Sequence, residues 1–449
     1  MKKLFGTDGV RGLANRAISP ELAFKLGKAG AYVLTKNVTS APRVLVAKDS
    51  RRSGDMLEAA LTAGLCSIGA EVVQAGNIPT PAVAYLIKHY QLDAGIMISA
   101  SHNPMEDNGI KFFNHQGLKL PDSLEAEIEE IIHMDTELPA PIGCEVGIVT
   151  KAPNALEDYA AFVLETVPGL RLDGMRIALD CANGATSMVA PIVMEKLGAD
   201  VHTIHNKPDG CNINDNCGST HMESLQEFVV SCNADIGLAF DGDGDRVLAV
   251  DEFGNIIDGD IIMAICGLDM KQRDELPGNT IVATVMSNQG LDLFCRKNDM
   301  ILHRTKVGDR YVLEKMLESN LNIGGEQSGH LIFRQYNTTG DGILATVQLL
   351  SVMHRAKKTM SELAAQVEIF PQVLINVKIN GNAQALMQTE HIQAAIKQTE
   401  TTLGDEGRVL VRPSGTEPLI RVMLEGRDLD TITKLAEGLA KIVAGKEEA

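Results

Sequence analysis

Residues 95–104 read Gly95-Ile96-Met97-Ile98-Ser99-Ala100-Ser101-His102-Asn103-Pro104: an apolar run of strand length that breaks into two hydroxyls, an imidazole, an amide and a proline. Proline lacks the N–H that a sheet ladder needs, so regular pairing stops there. A strand therefore hands over to a polar loop, and in open α/β sheets ligands sit at loops on the carboxyl ends of strands. Ser101 is thus a candidate nucleophile. A hydroxyl-rich turn that only caps backbone groups would look the same, so the stretch needs support from elsewhere in the chain.

Working outward, the hydrophobic period alternates. Ser19-Pro20-Glu21 supplies an N-cap, a first-turn proline and a dipole-matching acid for a helix carrying Leu22, Phe24, Leu26, Ala29 and Val33. Strands are expected at 44–47, 71–74 and 95–98, with helices at 56–68 and 81–89 between them. This β-α-β repetition points to an α/β fold with a mainly parallel sheet and helices on its faces. A Pro-rich segment, Leu138-Pro139-Ala140-Pro141-Ile142-Gly143, marks a boundary, after which the pattern restarts with a strand at 176–179. Ile68-Gly69-Ala70-Glu71-Val72 and Leu197-Gly198-Ala199-Asp200-Val201 occupy the same place in their units, a hint of internal repetition. A third unit begins near Gly259, and from Pro371 the strands and helices alternate differently, as in a small α+β domain. The expected domains are 1–150, 151–256, 257–368 and 369–449.

A chain of 449 residues exceeds one ordinary core, and about 150 residues per domain gives three domains, with four allowed. Hydrophobic residues at 45% and charged residues at 22% are globular values. A net charge of −18 disfavours nucleic acid and anionic membranes as partners, so an anionic substrate needs cations grouped at its site. There is no apolar run of spanning length, and Met1-Lys2-Lys3 leads into Phe5-Gly6-Thr7 without a signal-peptide hydrophobic region; a cytoplasmic protein is expected. The eight cysteines show no Cys-x-x-Cys pair and no zinc spacing, which reads as buried, reduced thiols.

Asp241-Gly242-Asp243-Gly244-Asp245-Arg246 lies between two strand-like runs, 236–240 and 247–250. Alternating glycines let the backbone fold tightly enough for Asp241, Asp243 and Asp245 to face one point, which suits a hard divalent cation with oxygen ligands. An EF-hand loop would need glycine where Arg246 stands and helices where strands are expected. A phosphatase with Asp241 as nucleophile, or a purely structural acidic turn, fits less well. Gly324-Gly325-Glu326-Gln327-Ser328-Gly329-His330 is a further Gly-rich loop in which Glu326 and Ser328 could meet sugar hydroxyls. Arg412-Pro413-Ser414-Gly415-Thr416-Glu417-Pro418 combines a guanidinium fork, two hydroxyls and a glycine, the inventory of a phosphate cradle, with Arg421 as a second cation. In Phe5-Gly6-Thr7-Asp8-Gly9-Val10-Arg11-Gly12, Arg11 beside Asp8 could brace a phosphate.

In this order and at these separations the loops around Ser101, Asp241, Glu326 and Arg412 resemble the α-D-phosphohexomutase family, from Phe5 to Arg421. Phe5–Gly12, Gly325–His330 and Lys306-Val307-Gly308-Asp309-Arg310-Tyr311 are similar to its amino-sugar branch. The resemblance implies three related mixed α/β domains and a smaller C-terminal α+β domain around a central cleft. It implies that Ser101 is phosphorylated and that Asp241, Asp243 and Asp245, with Ser101, bind Mg²⁺. It further implies that Glu326, Ser328, Asp309 and Arg310 contact the sugar, and that Arg412, Ser414, Gly415, Thr416 and Arg421 hold the phosphate that is not reacting. The implied reaction interconverts glucosamine 6-phosphate and glucosamine 1-phosphate through glucosamine 1,6-bisphosphate. Lys111 and His330 are then candidate acid and base, His102 would orient the serine loop, Arg246 and Arg11 would neutralise phosphoserine charge, and a homodimer is expected. A phosphomannomutase or phosphoglucomutase shares every mechanistic loop. A sugar-phosphate sensor without turnover and a cation-storage module are the readings from other classes.

Overall fold

The computed structural model describes residues 3–6, 8–36, 41–379, 382–404, 407–413 and 419–445. The chain divides into two units, Met1–Met286 with Met300–Ala365, and Ser287–Asp299 with Gln366–Ala449.

In the larger unit, β1 (Val10–Leu13), α1 (Pro20–Thr35), β2 (Arg43–Lys48), α2 (Ser53–Cys66), β3 (Glu71–Asn77), α3 (Thr80–His89), β4 (Ala94–Ile98), β5 (Asp107–Asn114), α4 (Asp122–His133) and β6 (Val149–Lys151) come first. Their sheet has the order β1-β5-β4-β2-β3-β6. The β4-β2-β3-β6 part is parallel, as the alternating periods require, whereas β5 pairs antiparallel with both of its neighbours, β4 and β1. Ser101 therefore lies in a connection between two antiparallel neighbours, not in a strand-to-helix loop. Arg11, expected in a Gly-rich loop, sits within β1, opposite Gly109 of β5.

Val44 and Val46 point to one face of β2, where they join Leu26 and Val33 of α1 and Leu57, Leu61 and Leu65 of α2 in the core. Leu45 and Ala47, on the opposite face, are equally buried, as expected of a strand covered on both sides. The Ser19 side chain caps α1 by accepting from Leu22 N–H, with Pro20 in the first turn. α1 and α2 approach almost backbone to backbone: a Cβ on Gly64 would lie 2.2 Å from the Phe24 carbonyl oxygen, and one on Gly27 2.4 Å from that of Leu61. Gly64→Ala must push the helices apart and should cost about 1–3 kcal/mol, read as a lower urea midpoint. An unchanged midpoint would contradict this close approach.

The chain continues with α5 (Ala155–Glu165), β7 (Arg176–Asp180), α6 (Thr186–Lys196), β8 (Asp200–Ile204), α7 (Glu223–Cys232), β9 (Ile236–Phe240), β10 (Val247–Asp251), β11 (Ile256–Ile257) and α8 (Gly259–Gln272). It goes on through β12 (Thr280–Thr284), α9 (Gln289–Lys297), β13 (Ile301–Thr305), α10 (Asp309–Glu318), β14 (Ile323–Gly325), β15 (Leu331–Phe333), α11 (Gly342–Ala356) and α12 (Met360–Ala364). The second and third sheets have the orders β11-β10-β9-β7-β8 and β13-β12-β14-β15.

All three sheets share one plan. β3-β2-β4-β5, β8-β7-β9-β10 and β13-β12-β14-β15 each consist of three parallel strands followed by one antiparallel strand. In each, the link into the antiparallel strand carries one of the motifs read from the sequence: residues 99–106 with Ser101, 241–246 with the aspartates, and 326–330 with Glu326 and His330.

The smaller unit contains α9 and an antiparallel sheet of β16 (Gln372–Lys378), β17 (Gly407–Pro413) and β18 (Leu419–Gly426) in the order β16-β18-β17. α13 (Ala383–Met387), α14 (Glu390–Leu403) and α15 (Leu429–Val443) complete it. Ile432, Ala436, Leu439 and Val443 form one stripe of α15 and share a core with Ile420, Val422 and Leu424. Asn288 ties the segment before α9 to Phe370, its side chain donating to the Phe370 carbonyl at 2.9 Å and accepting from its N–H at 3.0 Å.

Candidate active site

Ser101 follows the buried end of β4 with a left-handed backbone, φ +54°. Its N–H donates to Ser99 Oγ at 2.9 Å, and its own Oγ donates to Asp241 Oδ2 at 2.6 Å, with His102 Nδ1 3.4 Å away. The first and second sheets thus meet at the serine.

Asp241, Asp243 and Asp245 present oxygens within 4.8 Å of one another, and all three residues are buried. Gly242 allows the close approach: a Cβ there would lie 2.7 Å from the Ser101 carbonyl oxygen. Lys111, on β5, donates to Asp243 Oδ2 at 2.5 Å and lies 3.9 Å from Asp245 Oδ2; Thr80, at the start of α3, donates to the same Asp243 oxygen at 2.5 Å. Burial, reinforced by repulsion from Asp245 and Asp243, raises the Asp241 pKa. Burial acts in the same sense on Asp243 and Asp245, but Lys111, joined by His330 at Asp245, outweighs it and lowers both. Among the described residues, Asp243 Oδ1 and Asp245 Oδ1 are buried without a hydrogen-bond partner. Closely grouped, oxygen-only and incompletely matched by donors, these carboxylates fit a hard divalent cation.

Two guanidinium groups stand nearby. Arg246 Nε lies 3.9 Å from Asp245 Oδ1, and Arg11 pairs with Asp8 at 3.3 Å; among the described residues neither buried Nε atom has a hydrogen-bond partner. Burial, together with these two cations, lowers the His102 pKa to about 4, so His102 is neutral near pH 7. A neutral imidazole beside a serine hydroxyl, with two cations close enough to act on that imidazole, makes a setting for a phosphate dianion.

The third sheet supplies His330 and Glu326. Gly340 N–H donates to His330 Nε2 at 3.1 Å, so the proton of the neutral ring sits on Nδ1, 3.6 Å from Asp245 Oδ2. Burial disfavours the imidazolium, yet Asp245 and Asp309 outweigh it and raise the pKa. Glu326 Oε1 accepts from Gly308 N–H at 3.2 Å, and burial raises its pKa. Ser328 is exposed. Asp309 accepts from Lys119, and Arg310 is engaged with Asp122 and with Glu314, the latter at 2.9 Å.

In the smaller unit Arg412 and Arg421 are directly opposed across β17 and β18. Burial and then the Arg421 charge lower the Arg412 pKa. Like charges directly opposite destabilise a sheet, and an anion between them relieves the repulsion. Ser414, Gly415 and Thr416 lie outside the described residues.

Models of the phosphoglucomutase/phosphomannomutase family match alpha/beta/alpha domain I at residues 2–138, domain II at 157–254, domain III at 258–370 and the C-terminal domain at 374–442. The phosphoglucosamine mutase of Ruminiclostridium cellulolyticum is 56% identical over 99% of this chain and 100% of its own length. That of Acetivibrio thermocellus is 56% identical over 99% of both. The chain belongs to the phosphoglucosamine mutases, within the phosphohexomutase family. It is an enzyme of the isomerase class that works by phosphoryl transfer. The same fold recurs in a phosphoglucomutase/phosphomannomutase family protein from Burkholderia thailandensis, with TM-score 0.83, 22% identity and coverage of 99% and 98% of the two chains. It recurs in Aspergillus fumigatus N-acetylphosphoglucosamine mutase, solved with GlcNAc-6P and magnesium, with TM-score 0.71, 17% identity and coverage of 99% and 96%.

As a phosphoglucosamine mutase, the chain places residues at its site that the sequence did not single out. Lys119 donates to Asp8 Oδ1 at 2.8 Å and to Asp309, and holds the Asp8 carboxyl far below its usual range. It lies in Leu118-Lys119-Leu120, where nothing local distinguishes it from a surface lysine. Thr80 is equally inconspicuous. Among the described residues a second group with metal-ligand chemistry is Asp180, His205 and Cys217. There Asp180 already accepts from Ala182 N–H, Gly218 N–H and His205 Nδ1, and burial pushes the Cys217 thiol up to about 12. That group is a satisfied structural cluster.

Proposed function

We propose that this phosphoglucosamine mutase interconverts glucosamine 6-phosphate and glucosamine 1-phosphate, with Ser101 as phosphoryl carrier and glucosamine 1,6-bisphosphate as intermediate and activator. The observation that carries the reading is the 2.6 Å hydrogen bond from Ser101 Oγ to Asp241, one of three clustered buried carboxylates. Asp241, Asp243 and Asp245, with Ser101, would hold Mg²⁺. When bound, that ion draws negative charge from the transferring phosphoryl group.

The chain's own residues do the rest. Arg11 and Arg246 neutralise the phosphoserine, and His102, neutral beside them, orients the loop. In the first half-reaction the sugar O1 bonds to phosphorus as the bond from phosphorus to Ser101 Oγ breaks. The O1 proton ends on Ser101 Oγ, relayed by Lys111 or His330; the second half-reaction, from O6 of the bisphosphate, reverses each change. Glu326, Ser328, Asp309 and Arg310 read the sugar. Arg412 and Arg421, with Ser414, Gly415 and Thr416, hold the distal phosphate. The four domains are taken as 1–150, 151–256, 257–368 and 369–449. A cytoplasmic location belongs to the same reading; the eight cysteines are free, but only Cys181, Cys217, Cys266 and Cys295 are buried, not all eight as expected, and among the described residues no helix is long and apolar enough to cross a membrane. A homodimer follows from the family resemblance.

The test is kcat/KM for glucosamine 6-phosphate, glucose 6-phosphate and mannose 6-phosphate, each with Mg²⁺ and a trace of its 1,6-bisphosphate. Preference for the amino sugar by about 10-fold or more is expected, because polar groups placed for an ammonium are left unpaired by the other sugars. Equal or reversed preference would overturn the substrate assignment.

A further inference from the structure

The left-handed backbone of Ser101 is unusual for a residue with a side chain, and such strain persists only where surrounding contacts over-determine it. Those contacts converge on Arg51 and Asn214. The Ser101 carbonyl accepts from Arg51 Nη2 at 3.0 Å and from Asn214 Nδ2 at 2.8 Å. The Asn103 carbonyl accepts from the same two nitrogens, at 2.8 and 2.9 Å. Arg51 Nη1 donates to the Asp107 carbonyl at 3.0 Å and to that of Pro104. Arg51 Nε donates to Asp49 Oδ2 at 2.9 Å, and that oxygen accepts from Ser99 Oγ at 2.6 Å, the hydroxyl that receives the Ser101 N–H. Both polar groups of the Ser101 backbone are therefore fixed by one network.

Arg51 is 2% exposed, and its whole guanidinium faces backbone oxygens and one carboxylate. A planar fork of donors can satisfy that geometry, whereas the single ammonium of lysine cannot. Asn214 reaches the same carbonyls from the segment between β8 and α7, and its N–H donates to the Ala182 carbonyl at 3.0 Å. The serine loop is thus gripped by one residue from the part matched as domain I and one from the part matched as domain II. Neighbouring bonds join the same two parts, Ser50 Oγ to the Asn183 carbonyl at 2.6 Å and Arg52 N–H to that of Gly210 at 2.9 Å.

We infer that Arg51 and Asn214 are positioning residues for phosphoryl transfer, holding the strained Ser101 backbone so that Oγ meets the acidic cluster in the second sheet. The inference rests on the reading of Ser101 as phosphoryl carrier. In-line transfer is sensitive to placement, and a misplacement of about 1 Å costs about 10²-fold in rate.

The experiment is the single-turnover rate constant for transfer from the phosphorylated enzyme to glucosamine 6-phosphate, in wild type, Arg51→Lys and Asn214→Gly, with steady-state kcat and KM alongside. Glycine suits position 214, where φ is +57°, so Asn214→Gly removes two hydrogen bonds and leaves the backbone comfortable even if Arg51→Lys fails to fold. A rate constant does not depend on how much enzyme is folded, so it separates positioning from stability. The expected result is a fall of about 10²-fold in the rate constant and in kcat, with KM within about threefold of wild type. An Asn214→Gly rate constant equal to wild type would overturn the inference, whatever happens to its melting temperature. Ser101→Ala in the same steady-state assay separates the two failures, because turnover that survives it defeats the serine reading itself.

Discussion

Replacing Ser101 by alanine is expected to lower kcat for the glucosamine phosphates by about 10⁴-fold or more, with the fold retained, because it removes the atom that carries the phosphoryl group. Ser101 Oγ makes one short hydrogen bond, to Asp241, whereas the contacts that shape the loop run through the Ser101 N–H and carbonyl, which alanine keeps. The left-handed backbone is no harder for alanine than for serine, so the melting temperature should move little. Intact-mass measurement after incubation with glucosamine 1,6-bisphosphate should show one added phosphoryl group in wild type and none in the variant. Normal turnover with an unphosphorylated alanine enzyme would remove the serine from the mechanism.

Withdrawing divalent cations is the second large effect. Three buried carboxylates sit within 4.8 Å of one another, and two of their oxygens meet no donor among the described residues. Lys111 answers Asp243 directly but stands 3.9 Å from Asp245, as does Arg246, so opposing charge is supplied from only part of the surroundings. Chelation should abolish turnover, and returning Mg²⁺ should restore it. Mg²⁺ at about 100 times its dissociation constant should also stabilise the folded protein by about 2.7 kcal/mol, seen as a higher melting temperature. Asp245→Asn should erase most of that shift, whereas a mutation remote from the cluster should keep it. A chelated enzyme with full turnover and a melting temperature indifferent to Mg²⁺ would refute the cation reading.

What the sequence disclosed follows from how local each signal is. The acidic turn is compact: glycines at alternate positions and strand-like runs on both sides leave few other shapes, and 241–246 does join β9 to β10. The α1 cap is equally local, three residues whose roles follow from their side chains. The antiparallel return of β5 was hidden because Asp107-Asn108-Gly109 reads as turn chemistry, although Ile110, Phe112 and Phe113 continue the strand. α13 and α14 lie in a polar stretch with few strongly apolar positions, so the hydrophobic period does not mark them. Lys119, Thr80, Arg51 and Asn214 could not be distinguished because their partners lie far along the chain: Thr80 bonds Asp243, and Asn214 bonds Ser101. Arg51, in Asp49-Ser50-Arg51-Arg52, looks like part of a solvated loop until the fold buries it.

The recurrence of one plan in three sheets has a consequence for the newborn protein. Chains emerge from the ribosome amino end first and fold in the same order. A nascent chain can finish the first sheet while Asn214, which grips the Ser101 and Asn103 carbonyls, and the acidic turn at 241–246 are still untranslated, and it can finish the second while His330 is still to come. Each intermediate has its scaffold but only a fragment of the chemistry. A prematurely terminated product ending before the third sheet would hold a serine and carboxylates without the imidazole beside Asp245, and translation must reach His330 before the grouping around that aspartate is whole.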